Sequence, residues 1–499
     1  MPGARKGKAL GQVLTWIAMG VLWCLAAPNA TAAVGGHSAG TPGYHGAASF
    51  ERGFADSVWI WSGNANTTPA QWDAQAYGAG AGIVEVEVDW GSYEPKPPLP
   101  GVSATDSGSA DYSNWSGLDP TVETLEANNL KVMFLVTDAP TWADSGTASQ
   151  LTDSEGYDIN MTALENFMRA LAGRYAGSYP DPTIPGVNLP RVQYYQDWAE
   201  ANNTQRFGPQ WANVDGDRVN EGAILYRESL NAFYAGVKAA DESDVVIFTG
   251  LEPWGDPPGG QWVAPTTFLE NVLCMNAKLV KQPCAEPAHF DVLAADPYED
   301  GNAPPTQPAQ ASGDVQLPDL GKLERIMDAA VAARTVLPQA HKPIWVTEFG
   351  YQTKAPNPYG EKLSAEALWQ EEAFYEAWKE GVSVFLWYLI RDWPGANYID
   401  NWFSGVYTYN DAPKPSYLSY KFPFVVVKDG AEAQMWGMSP AGAALSVQEQ
   451  VGGSWRTIKV FHPAFDSVFT AKMKLPSKKS VVYRAVQGNL TSLPWEAHF

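Results

Sequence analysis

The chain is short of cysteine, histidine and positive charge. Its 499 residues hold three cysteines and six histidines. The histidines are scattered, and none but His289 lies near a cysteine, so a zinc-type ligand set is not expected. Lysine and arginine total 33 against 55 aspartates and glutamates, a net charge of −22. Such a balance repels nucleic acid and anionic lipid, and neither is an expected partner. It leaves a neutral polysaccharide open as substrate. A Gly-rich phosphate loop is also missing, which argues against a nucleotide-dependent enzyme. No metal or organic cofactor is expected. Past the N-terminus no apolar run is long enough to span a bilayer.

The N-terminus reads as a targeting segment over 1–33. Arg5, Lys6 and Lys8 precede an apolar stretch from Val13 to Ala27, and small residues follow at Ala30, Ala32 and Ala33. A secreted, extracellular protein is therefore expected. Loss of that segment removes three bases and no acid, taking the charge from −22 to −25. Cys24 would leave with it. Cys274 and Cys284 then remain, and in a secreted chain they are expected to form a disulfide around a small loop.

What the chain has in quantity is aromatic residues, with 21 tryptophans and 22 tyrosines. Most must fill cores, but rings in Gly/Pro-rich loops offer flat faces to a ligand. Residues 34–56 are small and polar and read as a flexible leader. From 57 to 422 short apolar runs alternate with helical patterns. Strands are expected at 58–61, 83–90, 131–136, 191–197, 245–249, 290–295, 344–348 and 383–388. Helices fill the gaps, as where Leu164, Phe167, Met168 and Leu171 recur at helical spacing. Eight such units imply an α/β fold, a (β/α)₈ barrel. The segments leaving strands are mostly long and those entering strands mostly short, so one rim carries the loops an active site needs. From 423 to 499 the pattern turns to period two, with Gly452-Gly453 as a hairpin turn. A small β-sandwich is expected there.

Two strand ends carry an acid. Residues 342–352 read KPIWVTEFGYQ, with Glu348 just beyond the apolar run. Residues 191–203 read RVQYYQDWAEANN, with Glu200 where the strand runs out. Alternation puts Ile344, Val346 and Glu348 on one face, and Tyr194, Gln196, Trp198 and Glu200 on another. Burial beside Trp198 would raise the pKa of Glu200, as a general acid requires. Tyr298, in Asp296-Pro297-Tyr298, is placed to donate to Glu348. In 83–89 the valines share one face, and Glu85, Glu87 and Asp89 the other. If the valines meet the helices, three acids point indoors. Then one must be protonated, or Arg391 or another cation must pair with them. Asp89, Trp90, Asp138, Trp142, Glu252, Trp254, Arg391 and Trp393 lie at or past strand ends. As a set they suggest a sugar cleft.

The surroundings of Glu200, the VTEFG around Glu348, Pro297-Tyr298 and Trp387 on the last strand resemble the retaining glycoside hydrolases of clan A, in the manner of families 39 and 5. The resemblance spans about 58–420. It implies a barrel with Glu200 as acid/base and Glu348 as nucleophile, about 5–5.5 Å apart. It also implies Trp387 as part of the floor under the sugar. Substrate contacts then fall to Asp89, Trp90, Asp138, Trp198, Asn202, Glu252, Trp254, Asp296, Tyr298, Trp387 and Arg391. Three departures stand out. Asn-Glu-Pro is replaced by Ala199-Glu200-Ala201, with Asn202 or Asn203 as substitutes for the lost Asn. His-Pro-Tyr is replaced by Asp296-Pro297-Tyr298. Glu85 stands where the clan commonly has Arg. A secreted retaining glycoside hydrolase is the leading expectation. A carbohydrate-binding barrel without turnover, or a transglycosylase using the same pair, are the alternatives.

Overall fold

A computed structural model describes residues 47, 49–56, 67–147, 149–150, 154–354, 357–393 and 401–499. Within it, eight parallel strands form one sheet: β1 (Glu51–Ala55), β2 (Ile83–Asp89), β3 (Lys131–Thr137), β4 (Tyr194–Asp197), β5 (Val245–Ile247), β6 (Leu293–Ala295), β7 (Ile344–Val346) and β8 (Val382–Trp387). Their spatial order is β5-β4-β3-β2-β1-β8-β7-β6. Parallel bridges Ile247–Val292 and Leu251–Ala295 join the two ends. The sheet thus closes into the expected barrel.

The first strand corrects the sequence reading. It lies at 51–55, inside the stretch expected to be a flexible leader, whereas 58–61 lies outside the described residues. A run of five with two charged residues and a glycine hides its pattern. Arg52 is fully buried here, donating to the Tyr420 carbonyl and pairing with Asp466. Gly53 is needed for packing, because a Cβ there would sit 2.3 Å from the Ile83 carbonyl oxygen.

Seven helices follow the strands in turn: α1 (Pro69–Ala79), α2 (Trp115–Ala127), α3 (Met161–Arg174), α4 (Glu221–Ala240), α5 (Pro265–Val272), α6 (Gly321–Ala333) and α7 (Leu363–Lys379). A short eighth, α8 (Pro415–Lys421), follows β8. Local chemistry sets their ends. Thr68 and Gln71 form a capping box before α1, Pro69 opens it, and Gly80 closes it at φ 103°. Leu164, Phe167, Met168 and Leu171 are buried on α3, as their spacing predicts. Gly236 on α4 lets α3 come close, since a Cβ there would lie 2.4 Å from the Glu165 carbonyl oxygen. Among the described residues no helix is long and apolar enough to cross a bilayer.

Beyond α8 come β9 (Phe424–Asp429), β10 (Glu432–Met438), β11 (Leu445–Val451), β12 (Ser454–Phe461), β13 (Val468–Lys474), β14 (Ser480–Gln487) and β15 (Trp495–His498). They form two antiparallel sheets, β9-β10-β13 and β12-β11-β14, with β15 paired to β14. Phe424, Val426, Met435, Leu445, Val447, Phe469 and Tyr483 fill the core between them. Gly452 and Gly453 both take positive φ in the β11–β12 hairpin, as a two-residue turn requires. Trp436 leaves this core and packs against Phe50, Tyr375 and Trp378 of the barrel. Cys274 and Cys284 are disulfide-bonded after α5.

Candidate active site

The barrel interior is apolar at depth. Ala55, Ile83, Met133, Ile247, Val292, Ala294, Trp345, Val384 and Leu386 form its inner cluster, with Tyr194 and Tyr388 packed against it. Above Ile83 the inward positions of β2 change character. The valines 84, 86 and 88 join the outer core, so Glu85 and Glu87 face in. Glu85 is buried and its Oε2 has no hydrogen-bond partner. Burial, then the charges of Glu348, Asp296, Glu87 and Asp56, push its carboxyl well above the usual range. Of the two outcomes expected for these acids, protonation is therefore the one that applies to Glu85. Arg391 does not reach them. It pairs with Asp411 at 3.5 Å and lies over the rings of Trp72 and Tyr409.

Glu200 and Glu348 both face this mouth, though strand alternation does not put them there. β4 stops at Asp197. Trp198 and Glu200 then take φ of 61° and 48°, a conformation uncommon for such side chains. This turn throws Trp198 outward, against Phe207, with its indole donating to the Arg206 carbonyl. Trp198 is fully buried in the outer core and is not a substrate contact. Glu200 turns in, with its backbone N–H donating to the Gly250 carbonyl at 2.8 Å. On β7, Trp345 is the inward residue, while Ile344 and Val346 join the outer core. The expected shared face of Ile344, Val346 and Glu348 is therefore wrong. Glu348 reaches the mouth because the strand ends before it.

Around the pair the contacts are specific. Tyr298 Oη donates to Glu348 Oε2 at 3.2 Å, as its position in the sequence suggests. Arg206, which sequence reasoning missed, pairs with Glu155 and approaches Glu200 Oε2 at 3.5 Å through Nε. Burial pushes Glu348 up to about 8, helped by the charge of Glu200 and opposed by Arg206 and Tyr298. Burial likewise raises Glu200, against the pull of Arg206. The two carboxylates feel each other, so repulsion favours one proton on the pair near neutral pH. Asp296 is fully buried, accepts from Thr347 Oγ1 at 2.7 Å, and is raised by burial, Glu348 and Glu200. Gly250 makes room for it, since a Cβ there would lie 2.1 Å from Asp296 Oδ2. Glu252 accepts from Asn203 at 2.8 Å and is raised by burial and by Glu200. Asp138 is raised by burial and by Glu155, Asp89 and Glu87.

Other expected contacts have different work. Asp89 caps the helical turn Trp90–Tyr93, accepting from the Ser92 N–H at 3.0 Å and its hydroxyl at 2.6 Å. Trp90 is fully buried, stacked on Phe167, and donates to Glu94. The Asn202 amide bonds only to backbone, donating to the carbonyls of Glu252 and Val263 and accepting from the Glu252 N–H. It braces the loop and cannot stand in for the clan's asparagine. Trp387 packs on Phe349, Tyr351 and Phe374, and its indole donates to the Ser404 carbonyl. It belongs to the outer core, not to a sugar floor. Its neighbour Tyr388 faces in, against Trp393 and Trp402, with Glu348 the strongest charge acting on it. Alternation with the inward Val384 and Leu386 is the signal that marks Tyr388. Trp254 is half-buried in the loop after β5, and its indole N–H has no partner. Trp402, from a loop without pattern, gave no sequence signal.

A parallel barrel with acids gathered at the C-terminal ends of its strands has the architecture of the clan A glycoside hydrolases. In particular, the chain matches a family 39 glycoside hydrolase from the gut symbiont Bacteroides cellulosilyticus WH2 with a TM-score of 0.50 at 14% identity, over 86% of this chain and 81% of that one. A family 39 beta-xylosidase from Caulobacter crescentus gives 0.48 at 12% identity, over 90% and 98%. A family 30 endoxylanase from Clostridium papyrosolvens C71 gives 0.46 at 11%, over 89% and 97%. At these identities the likeness is one of fold. No protein-family model matches the sequence, and no curated protein does.

Proposed function

We propose that the protein is a secreted retaining glycoside hydrolase that cleaves a poly- or oligosaccharide by double displacement. The observation that carries this reading is the meeting of Glu200 and Glu348 at one barrel mouth, where the charge of Glu200 raises Glu348 and both raise Asp296. Glu348 attacks the anomeric carbon as the glycosidic C–O bond breaks and Glu200 protonates the departing oxygen. Glu200 then takes a proton from water, whose oxygen displaces Glu348 from the sugar. Tyr298 holds the nucleophile and favours its ionised form. The single proton of the pair is what the first step needs. Arrival of positive charge at the anomeric carbon favours ionising Glu348 and leaving that proton on Glu200.

The test is labelling with a mechanism-based glycoside inactivator, followed by peptide mapping. Label on Glu348, and retained configuration in the first-formed product by NMR, are expected. One observation favours a second reading, a binding barrel without turnover: Asn202 is committed to backbone and the Asn203 amide to Glu252, so neither is held free for the sugar 2-hydroxyl. Tight oligosaccharide binding with no label and no hydrolysis would establish that second reading.

A further inference from the structure

The mouth is unusual in charge as well as in position. Three of its strand-to-helix loops, 138–160, 250–264 and 296–319, contain no lysine, arginine or histidine, yet carry Asp138, Glu155, Glu252, Asp296 and Glu299 among other acids. Beneath them lie Glu85, Glu87 and Asp56. Among the described residues, no ion pair joins a cation to Glu85, Asp138, Glu252, Asp296 or Glu348. The stretches 57–66 and 394–400 contain no basic residue that could supply one. Arg206 is the cation that enters the network, and Glu155 and Glu200 share it.

A neutral sugar offers hydroxyls that both donate and accept, and a site for it normally mixes amides, bases and acids. Carboxyl groups predominate at this mouth, beside the hydroxyls of Tyr298 and Tyr388, the Asn203 amide and Arg206. Glu85 is the sharpest case, a buried side chain over the apolar inner cluster with one oxygen lacking any partner. Protonated, Glu85 avoids the cost of an unpaired buried carboxylate, and it ionises only when a counter-charge enters. Metal is not the fitting counter-charge, because no group of three or more His, Cys, Asp or Glu among the described residues could hold an ion. A ligand that carries one positive charge and several hydroxyl donors on one ring suits the mouth better.

Resting on the hydrolase reading, we propose that the glycosyl unit seated between Glu200 and Glu348 is an amino sugar with an unacylated, positively charged amine, recognised by the carboxylates of the barrel floor and rim. The ammonium pairs with an inward carboxylate such as Glu85, which releases its proton to solvent as the ligand enters. The acidic loops draw a cationic glycan to the mouth, so association weakens with salt.

Binding to the full chain by calorimetry tests this with three probe series. Methyl glycosides of glucosamine, galactosamine and mannosamine are each compared with the N-acetylated form and with the parent neutral sugar. In at least one series the free amine is expected to bind about tenfold or more tighter than both relatives, a difference of about 1.4 kcal/mol. Its binding should release protons, and its advantage should grow from pH 5 to pH 7 and shrink in 0.5 M salt. Glu85→Gln is expected to cut the advantage to about threefold or less. If that variant fails to fold, the pH and salt dependence of the unaltered protein decides. Equal or tighter binding of the neutral or acetylated forms in every series overturns the proposal. Labelling of Glu348 without any amine preference leaves the hydrolase reading standing and sinks this inference. Amine preference without labelling does the reverse.

Discussion

From residue 424 onward the protein buries no lysine, arginine, aspartate or glutamate; the buried polar side chains there are Gln434, Ser439, Gln487 and Ser492. The barrel mouth buries Asp56, Glu85, Glu252 and Asp296, with Glu200 and Glu348 beside them. Both regions are built by one chain in one solvent, and both have apolar residues to spare. The sandwich follows the hydrophobic rule throughout its core. The barrel breaks the rule most densely at its mouth, while its inner cluster stays apolar. Buried charge is expensive, so a concentration of it at the mouth marks where binding energy must later be recovered.

The largest expected effect comes from removing either glutamate. Glu348→Gln or Glu200→Gln should lower kcat/KM by roughly 10³-fold or more with the circular dichroism spectrum intact. Trp436→Ala, at the sandwich–barrel contact, should instead cost about 3–5 kcal/mol of stability and leave turnover per folded molecule nearly unchanged. If both variants lost activity alike, the contrast between the two regions would fail.

Next in size is Gly250→Ala. Its Cβ would overlap Asp296, so the thermal midpoint and activity should fall together. Cys274→Ser with Cys284→Ser should cost about 2–3 kcal/mol in a denaturant titration and spare kcat. Removing Arg206, as in Arg206→Gln, takes away the cation that lowers both glutamates. The acidic limb of the kcat/KM profile should move to higher pH by about one unit, and Arg206→Lys should restore part of it.

The smallest effect is the pH dependence of stability. Glu348 is raised to about 8 and Glu155 to about 7, above their unfolded values. The folded state therefore holds more protons than the unfolded state between about pH 4.5 and 8. Their contribution is complete below that window and is lost as pH climbs through it. The thermal midpoint should decline from pH 5 to pH 8, and Glu348→Gln should flatten the decline. A midpoint that rises over that range would contradict the buried, protonated state of these acids.

Much of the fold was legible in the residues. Seven of the eight barrel strands lie where apolar runs predicted them, and the Gly452-Gly453 turn lies where the period-two pattern broke. The first strand was not legible, because Arg52 and Gly53 take their meaning from Asp466 and Ile83, far off in sequence. For the site, sequence singled out Glu200 and Glu348 as acids at strand ends, with Tyr298 beside them, but the faces it assigned them by alternation fail, because alternation does not operate beyond Asp197 or Val346. The tryptophans show the same limit. Trp90, Trp198 and Trp387 stand at strand ends, as ligand-facing rings would, yet each turns to the outer core.

The sequence by itself determined seven of the eight strand–helix units, the closing sandwich, the acidic balance and which strands end in a carboxylate. Those follow from hydrophobic period and from residue type, which are local properties. Only the tertiary structure decided which side chains share the mouth and that Arg206 rather than Arg391 stands among the acids. Closure of a sheet sets these, because direction at a strand end depends on one or two backbone dihedrals and on what the neighbouring strand leaves open.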